Sequence, residues 1–283
     1  MAARPSAQFQ RVLELRSDAA MVQKALILDG KLVLARGVII GGSFTVNSTH
    51  DNNSLNCCDA ISSVFTPVQG DPRELTWGPT NNDFRHKLVL FGSMPELYGG
   101  KLSFRMIRQS GSPWSPTVAQ DINYDDVGVG GSFGNQNDLA FIFNPATPGL
   151  DPTLAAGMTA LLNNPGNRAR DYLRDNLGRI AGRSAIRNPF VTQVDLRYAQ
   201  RLPTFRGQAA ELTVDVFNAL SWLNETWAGG GVRIVPGANQ TLLRVTGFDA
   251  ATNNYRYAVN PTFGQSVRTG NRYQVQTGVR YRF

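Results

Sequence analysis

The chain has 283 residues, room for one large all-β domain or two ordinary ones, with 28 Lys and Arg against 21 Asp and Glu. Charged residues make up 17% of it, below the roughly 25% usual in soluble domains, and the arginines are scattered rather than gathered into a patch that would grip nucleic acid. No run of about 18 apolar residues occurs, which excludes a transmembrane helix but not a transmembrane barrel, whose strands alternate and escape hydropathy scans.

The opening MAARPSAQFQRVLEL has no charged start followed by an apolar stretch and a cleavage site. The expectation is either a cytoplasmic chain or an export signal lost with the true N-terminus, and the later segments favour the second. From there, alternation recurs. In GVIIGGSFTV, Val38, Ile40, Phe44 and Val46 share a face with Gly42. The only cysteines, Cys57 and Cys58, are adjacent, so they clip no distant loops and have no metal-ligand spacing. In KLSFRMIRQ, Leu102, Phe104 and Met106 oppose Lys101, Ser103 and Arg105. In FVTQVDLRYAQR, Phe190, Thr192, Val194, Leu196 and Tyr198 oppose Gln193, Asp195, Arg197 and Arg201. In ELTVDVF, Leu212, Val214 and Val216 oppose Glu211, Thr213 and Asp215. The final YQVQTGVRYRF sets Tyr273, Val275, Thr277, Val279, Tyr281 and Phe283 against Gln274, Gln276, Gly278, Arg280 and Arg282. A period of two predicts strands with one dry and one wet face.

The linkers alternate in length. LDGKL (28–32), PELYGG (95–100), LPTFRG (202–207) and DAATNN (249–254) are short; 47–83, 110–189 and 218–240 are long, and NPTFGQSVRTGN (260–271) closes the series. In an up-and-down meander every second linker lies at the same end of the sheet, so tight turns and elaborate loops segregate, as in outer-membrane barrels. The predicted fold is all-β, an antiparallel up-and-down transmembrane β-barrel, partial at about eight strands, with short helices in its long outer loops. A soluble sheet packed on a core remains the alternative, since alternation alone does not separate the two. Within 110–189, DPTLAAGMTALLNN predicts a helix capped by Asp151 with Pro152 at its first position, and NRARDYLRDNLG a second, from Asn167 to Gly178.

Several motifs invite chemistry. GGSFG (Gly130 to Gly134) offers Ser132 as a nucleophile, yet both histidines, His50 and His86, precede it. Only an order of His86, Asp121 and Ser132 is left, with nothing to tie those loops together. GVGGSFG fails the dinucleotide fingerprint, because Phe133 stands at the third glycine. DINYDD spaces Asp121, Asn123 and Asp125 like a calcium loop, though Asp126 and Ser132 occupy the positions of its Gly and bidentate Glu. These three are weak metal candidates beside a reading as solvated loop acids. Trp77, Trp114, Trp222 and Trp227 fall in or beside the long loops, where they would stack on a ligand or line an interface.

NNDFRHKLV, SGSPWSP, DINYDD with NDLAFIF, RSAIRNPFVTQVDLRYAQ, ELTVDVFNALSWLN and the terminal YQVQTGVRYRF together resemble TonB-dependent outer-membrane receptors. The branch resembled is the Oar-like one, whose members often carry a carboxypeptidase-regulatory-like domain. The resemblance runs from about Val12 onward and falls on the C-terminal third of such receptors. It implies a barrel of about 22 strands around a plug, in the bacterial outer membrane, for energised uptake of a scarce ligand. It implies as partners the outer-membrane lipid and the barrel-assembly machinery, which reads a terminal strand such as Tyr273, Val275, Val279, Tyr281 and Phe283. A TonB-type energy-coupling protein is a partner only if the full-length protein has a plug. No enzymatic role, cofactor or nucleic-acid partner is implied. Plug, coupling segment and signal are not visible, so the expectation is the C-terminal part of a receptor from a truncated or fragmentary gene. A small stand-alone barrel with a structural or adhesive role is the alternative. Ligand contacts are expected from loops 47–83 and 110–189 and from polar positions including Asp195 and Asp215, which otherwise hydrate or pair with Arg197 and Arg280.

Overall fold

The computed structural model describes residues 8, 14, 16–54, 65–125, 127, 136–205, 207–223, 232–269 and 273–283. The first half contains strands β1 (Met21–Val33), β2 (Ile39–Asp51), β3 (Gly78–Pro79), β4 (His86–Ser93), β5 (Gly100–Gln109), β6 (Pro113–Val118) and β7 (Phe141–Ile142). Helices α1 (Pro152–Asn163) and α2 (Arg170–Asp175) follow, then β8 (Arg179–Ile180), β9 (Ile186–Arg187), β10 (Val191–Leu202) and β11 (Ala209–Phe217). The rest is α3 (Ala219–Leu223), β12 (Val232–Ile234), β13 (Asn239–Asp249), β14 (Asn254–Val259), β15 (Val267–Thr269) and β16 (Gln274–Arg282).

The Val-, Leu-, Phe- and Thr-rich segments that alternate become the long strands. Seven of them form one antiparallel meander in the order β1-β2-β4-β5-β10-β11-β16, with β3 paired to the end of β2. Its registers put the predicted dry residues together. Leu28 pairs with Phe44, Phe44 with Leu88, Leu90 with Met106, Met106 with Val194, Leu196 with Val216, and Leu212 with Val279. The other face carries Lys31, Lys87, Arg105, Asp195, Arg197, Glu211, Asp215, Arg280 and Arg282. Among the described residues β1 and β16 do not pair with each other, so the sheet is an open arc.

Three tight turns lie at one end. Arg36 and Gly37 both adopt positive φ between β1 and β2, as do Tyr98 and Gly99 between β4 and β5, the left-handed pair that suits the twist of adjacent strands. The third turn, between β10 and β11, closes with Gln208 N–H donating to the Phe205 carbonyl at 3.1 Å. At the opposite end the described parts of the long segments 52–85, 110–190 and 218–273 gather into a second layer. Here β6 runs parallel to β13, giving a sheet β14-β13-β6-β9, and α1 and α2 pack beside it.

The hydrophobic core lies entirely in that second layer. Trp114, Val118, Ile142, Leu154, Met158, Leu161, Leu173, Leu242, Leu243 and Phe263 are buried together, and every buried apolar side chain of the described residues falls outside the seven long strands. Trp114 and Phe263 meet edge to face at 5.5 Å.

The structure corrects three sequence expectations and bears out a fourth. LDGKL is not a turn: it lies inside β1, where Gly30 pairs with Gly42 and Leu28 and Leu32 keep the dry register. Residues 241–248 and 255–259 are strands, but they belong to the loop layer, because the adjacent pair Leu242 and Leu243 is buried on both sides and breaks alternation. The segments on either side of DAATNN therefore do not span the main sheet, and the short–long order of linkers becomes purer. The first helix starts as expected, with the Asp151 carboxylate accepting from Thr153 and Leu154 N–H. The second is shorter, Arg170–Asp175, since Asn167 spends its carboxamide oxygen on the Ala169 N–H before the helix begins.

Candidate ligand-binding site

Two ion pairs clasp the loop layer to the sheet. Arg183, wholly buried, donates from Nη2 to Asp51 Oδ1 at 2.6 Å, to the Asp51 carbonyl and to the Gly78 carbonyl at 2.8 Å. Its Nε and Nη1 have no hydrogen-bond partner among the described residues. Arg187 binds the buried Asp83 through both its carboxylate and its carbonyl, while Asp83 Oδ1 accepts from Thr49 N–H at 3.0 Å. Burial pulls the Arg187 guanidinium below its ordinary range, an effect the Asp83 charge opposes. Both arginines come from RSAIR, four residues apart, so one short segment fixes Gly78 and Asp83 against the end of β2. Sequence reasoning missed this clasp, because nothing near Asp51 or Asp83 marks a partner more than a hundred residues away.

A cavity of about 430 Å³ opens in the loop layer beyond the end of α1, lined by Asn164, Pro165, Gly166, Arg168, Arg233, Gln265 and Ser266. Arg168 N–H is fixed by the Gly264 carbonyl at 3.0 Å, and Arg233 Nη2 leans on the Ser266 carbonyl at 3.2 Å. Among the described residues no acid lines it, so two guanidinium groups, a hydroxyl and two amides offer donors to an anionic group. It lies partly within the expected loop 110–189, although Arg233, Gln265 and Ser266 come from later segments.

The loop acids at 121–125 are held by turns. Asp125 N–H donates to Asp121 Oδ1 and Asn123 Oδ1, and the Asn137 carboxamide donates to Asp125 Oδ2. Among the described residues no set of three or more His, Cys, Asp or Glu side chains comes together as a metal-binding group. Asp138, not anticipated, sits beneath them with one oxygen on the Ile122 N–H at 3.0 Å and the other without a partner. Burial pushes its carboxyl up to about 8, against the Ile122 hydrogen bond, and the negative charges of Asp125 and Asp121 add to the rise.

The other candidates separate. Ser132, Trp227, Cys57 and Cys58 lie outside the described residues. His86 stacks between Phe44 and Phe190 on the dry face of the sheet, far in the topology from Asp121, so these two build no catalytic order. Trp114 is core, Trp77 is half exposed, and Trp222 tilts against Tyr273 at 6.3 Å. Asp215 pairs with Arg197 at 3.7 Å, and Asp195 accepts from Gln193 and from the Asn218 N–H. Register places Arg280 opposite Glu211 rather than beside either acid. Of the terminal residues, Tyr273, Val275, Val279, Tyr281 and Phe283 are all exposed.

No protein-family model matches the chain, and no curated protein matches it either. No described helix is long and apolar enough to cross a membrane, which says nothing of strands that do.

Proposed function

We propose that the seven-strand arc is part of the wall of an outer-membrane β-barrel, with its dry face toward lipid, its wet face toward a lumen and the loop layer outside. In this reading the chain is the C-terminal barrel portion of a TonB-dependent receptor of the Oar-like kind, which takes up a ligand with energy supplied through a plug. The observation that carries the proposal is the displaced core. A soluble sheet buries its apolar face, whereas here Leu26 is 60% exposed, Ile40 50% and Val279 71%, while among the described residues every fully buried apolar side chain lies outside the seven strands. Among the described residues the outer edges of β1 and β16 are unpaired, which leaves room for further strands and supports a large barrel over a small stand-alone one. The anion-suited cavity at Arg168 and Arg233 is the ligand contact of this reading, and no residue is assigned catalysis.

The test is depth in a bilayer. An added tryptophan at Leu196, in a chain refolded into vesicles with brominated acyl chains, is expected to bring quenched emission beyond that of the four native tryptophans, and one at Gln193 is not. A chain that stays monomeric in plain buffer, with both positions unquenched by added vesicles, overturns the proposal.

A further inference from the structure

The dry face carries a charge pattern of its own. Along the paired positions of all seven strands that face contains no Asp or Glu, and its only Lys or Arg residues are Lys24 and Arg108. Both lie toward the loop-side ends of their strands: Lys24 near the start of β1, Arg108 next to the last residue of β5. The same end holds both histidines, His50 and His86. At the turn-side end the corresponding positions are Leu32, Ile40, Gln200, Leu202, Ala210 and Tyr281, with no cation among them.

Arg108 is also held in place. Phe44, His86 and Phe190 form a row of stacked rings, with successive centroids 6.3 Å apart, and the Arg108 guanidinium lies 5.1 Å over the last. The ring supports the cation from below and leaves its N–H groups for another acceptor. Neither Lys24 nor Arg108 makes an ion pair among the described residues.

We propose that Arg108, seated on the Phe44–His86–Phe190 row, and Lys24 bind the phosphate groups of glycolipids in the leaflet that surrounds the loop-side end of the sheet. A cation on a lipid-facing surface is tolerated where its side chain reaches the head groups, and a phosphate there gives it a partner of opposite charge. The acid-free belt at one border and the uncharged, tyrosine-bearing border at the other match a bilayer whose two surfaces differ, with the anionic, phosphate-bearing one on the loop side. The proposal rests on the membrane reading above.

The experiment uses the 283-residue chain refolded into phosphatidylcholine vesicles, with or without a bis-phosphorylated glucosamine lipid, the same lipid dephosphorylated, or free inorganic phosphate. The phosphorylated lipid is expected to raise the thermal unfolding midpoint; the dephosphorylated lipid and free phosphate are not. Arg108→Gln combined with Lys24→Gln is expected to lose about half or more of that rise, while Arg105→Gln on the wet face keeps it. Insertion with no response to the phosphorylated lipid, an equal response to free phosphate, or a full response in the double variant overturns the proposal and leaves the membrane reading standing. Failure of the unaltered chain to enter any vesicle overturns both.

Discussion

Gly264 has φ at +71°, and a Cβ there would run into the carboxamide oxygen of Asn167, the group that also accepts the Ala169 N–H. Gly264→Ala therefore meets both backbone strain and a collision, and is expected to cost about 1–3 kcal/mol, read from denaturant unfolding followed by Trp114 emission. Asp138 gives a pH signature. Its folded pKa of about 8 lies above the ordinary carboxylate value of 3.8, so between those limits the folded protein holds a proton that the unfolded chain has released. The contribution of Asp138 to stability is full below pH 4, falls as pH rises, and levels off above 8, with a slope of at most roughly 1.4 kcal/mol per unit. Asp138→Asn is expected to flatten that slope, measured as unfolding midpoints across the range. Neither residue was legible in the sequence: Asp138 follows Asn137 in an ordinary loop, and its environment is assembled from segments far along the chain. The calcium-like spacing of Asp121, Asn123 and Asp125 was legible, but their oxygens are engaged by local N–H groups.

At the level of elements, alternation placed the faces of β2, β5, β10, β11 and β16 correctly, because a period of two survives any neighbour that pairs in register. It failed at LDGKL, where an Asp-Gly pair resembles a turn but lies in mid-strand, and at β13, whose two-sided burial no local pattern reveals. Charge on the two faces should matter unequally. On the proposed membrane reading, Leu196→Arg, in the middle of β10 on the dry face, is expected to lower stability in vesicles by about 2–4 kcal/mol, while Gln276→Arg on the wet face is near neutral, read from unfolding in vesicles. The Asp51–Arg183 pair allows a cleaner test. Asp51→Ala strands a buried guanidinium and is expected to cost about 3–5 kcal/mol. Adding Arg183→Met removes that charge and is expected to recover most of the loss, so the two changes are far from additive.

Across the whole molecule, the sequence made the β-rich antiparallel character legible and sorted long linkers from short ones, but not that the long linkers share one core. That core depends on contacts such as Trp114 with Phe263 and β6 with β13, all between segments separated by more than a hundred residues. The layer has a kinetic consequence. The hairpins β1–β2, β4–β5 and β10–β11 close over a few residues each, whereas joining β2 to β4, β5 to β10 and β11 to β16 means closing the three long segments. If those segments condense first, each slow closure is already made when the hairpins meet, and the entropic barrier to zipping the arc drops. Trp114→Ala is then expected to slow the appearance of the assembled sheet in refolding experiments while leaving hairpin formation at its normal rate; equal slowing of both would show that the strands assemble without waiting for the layer above them.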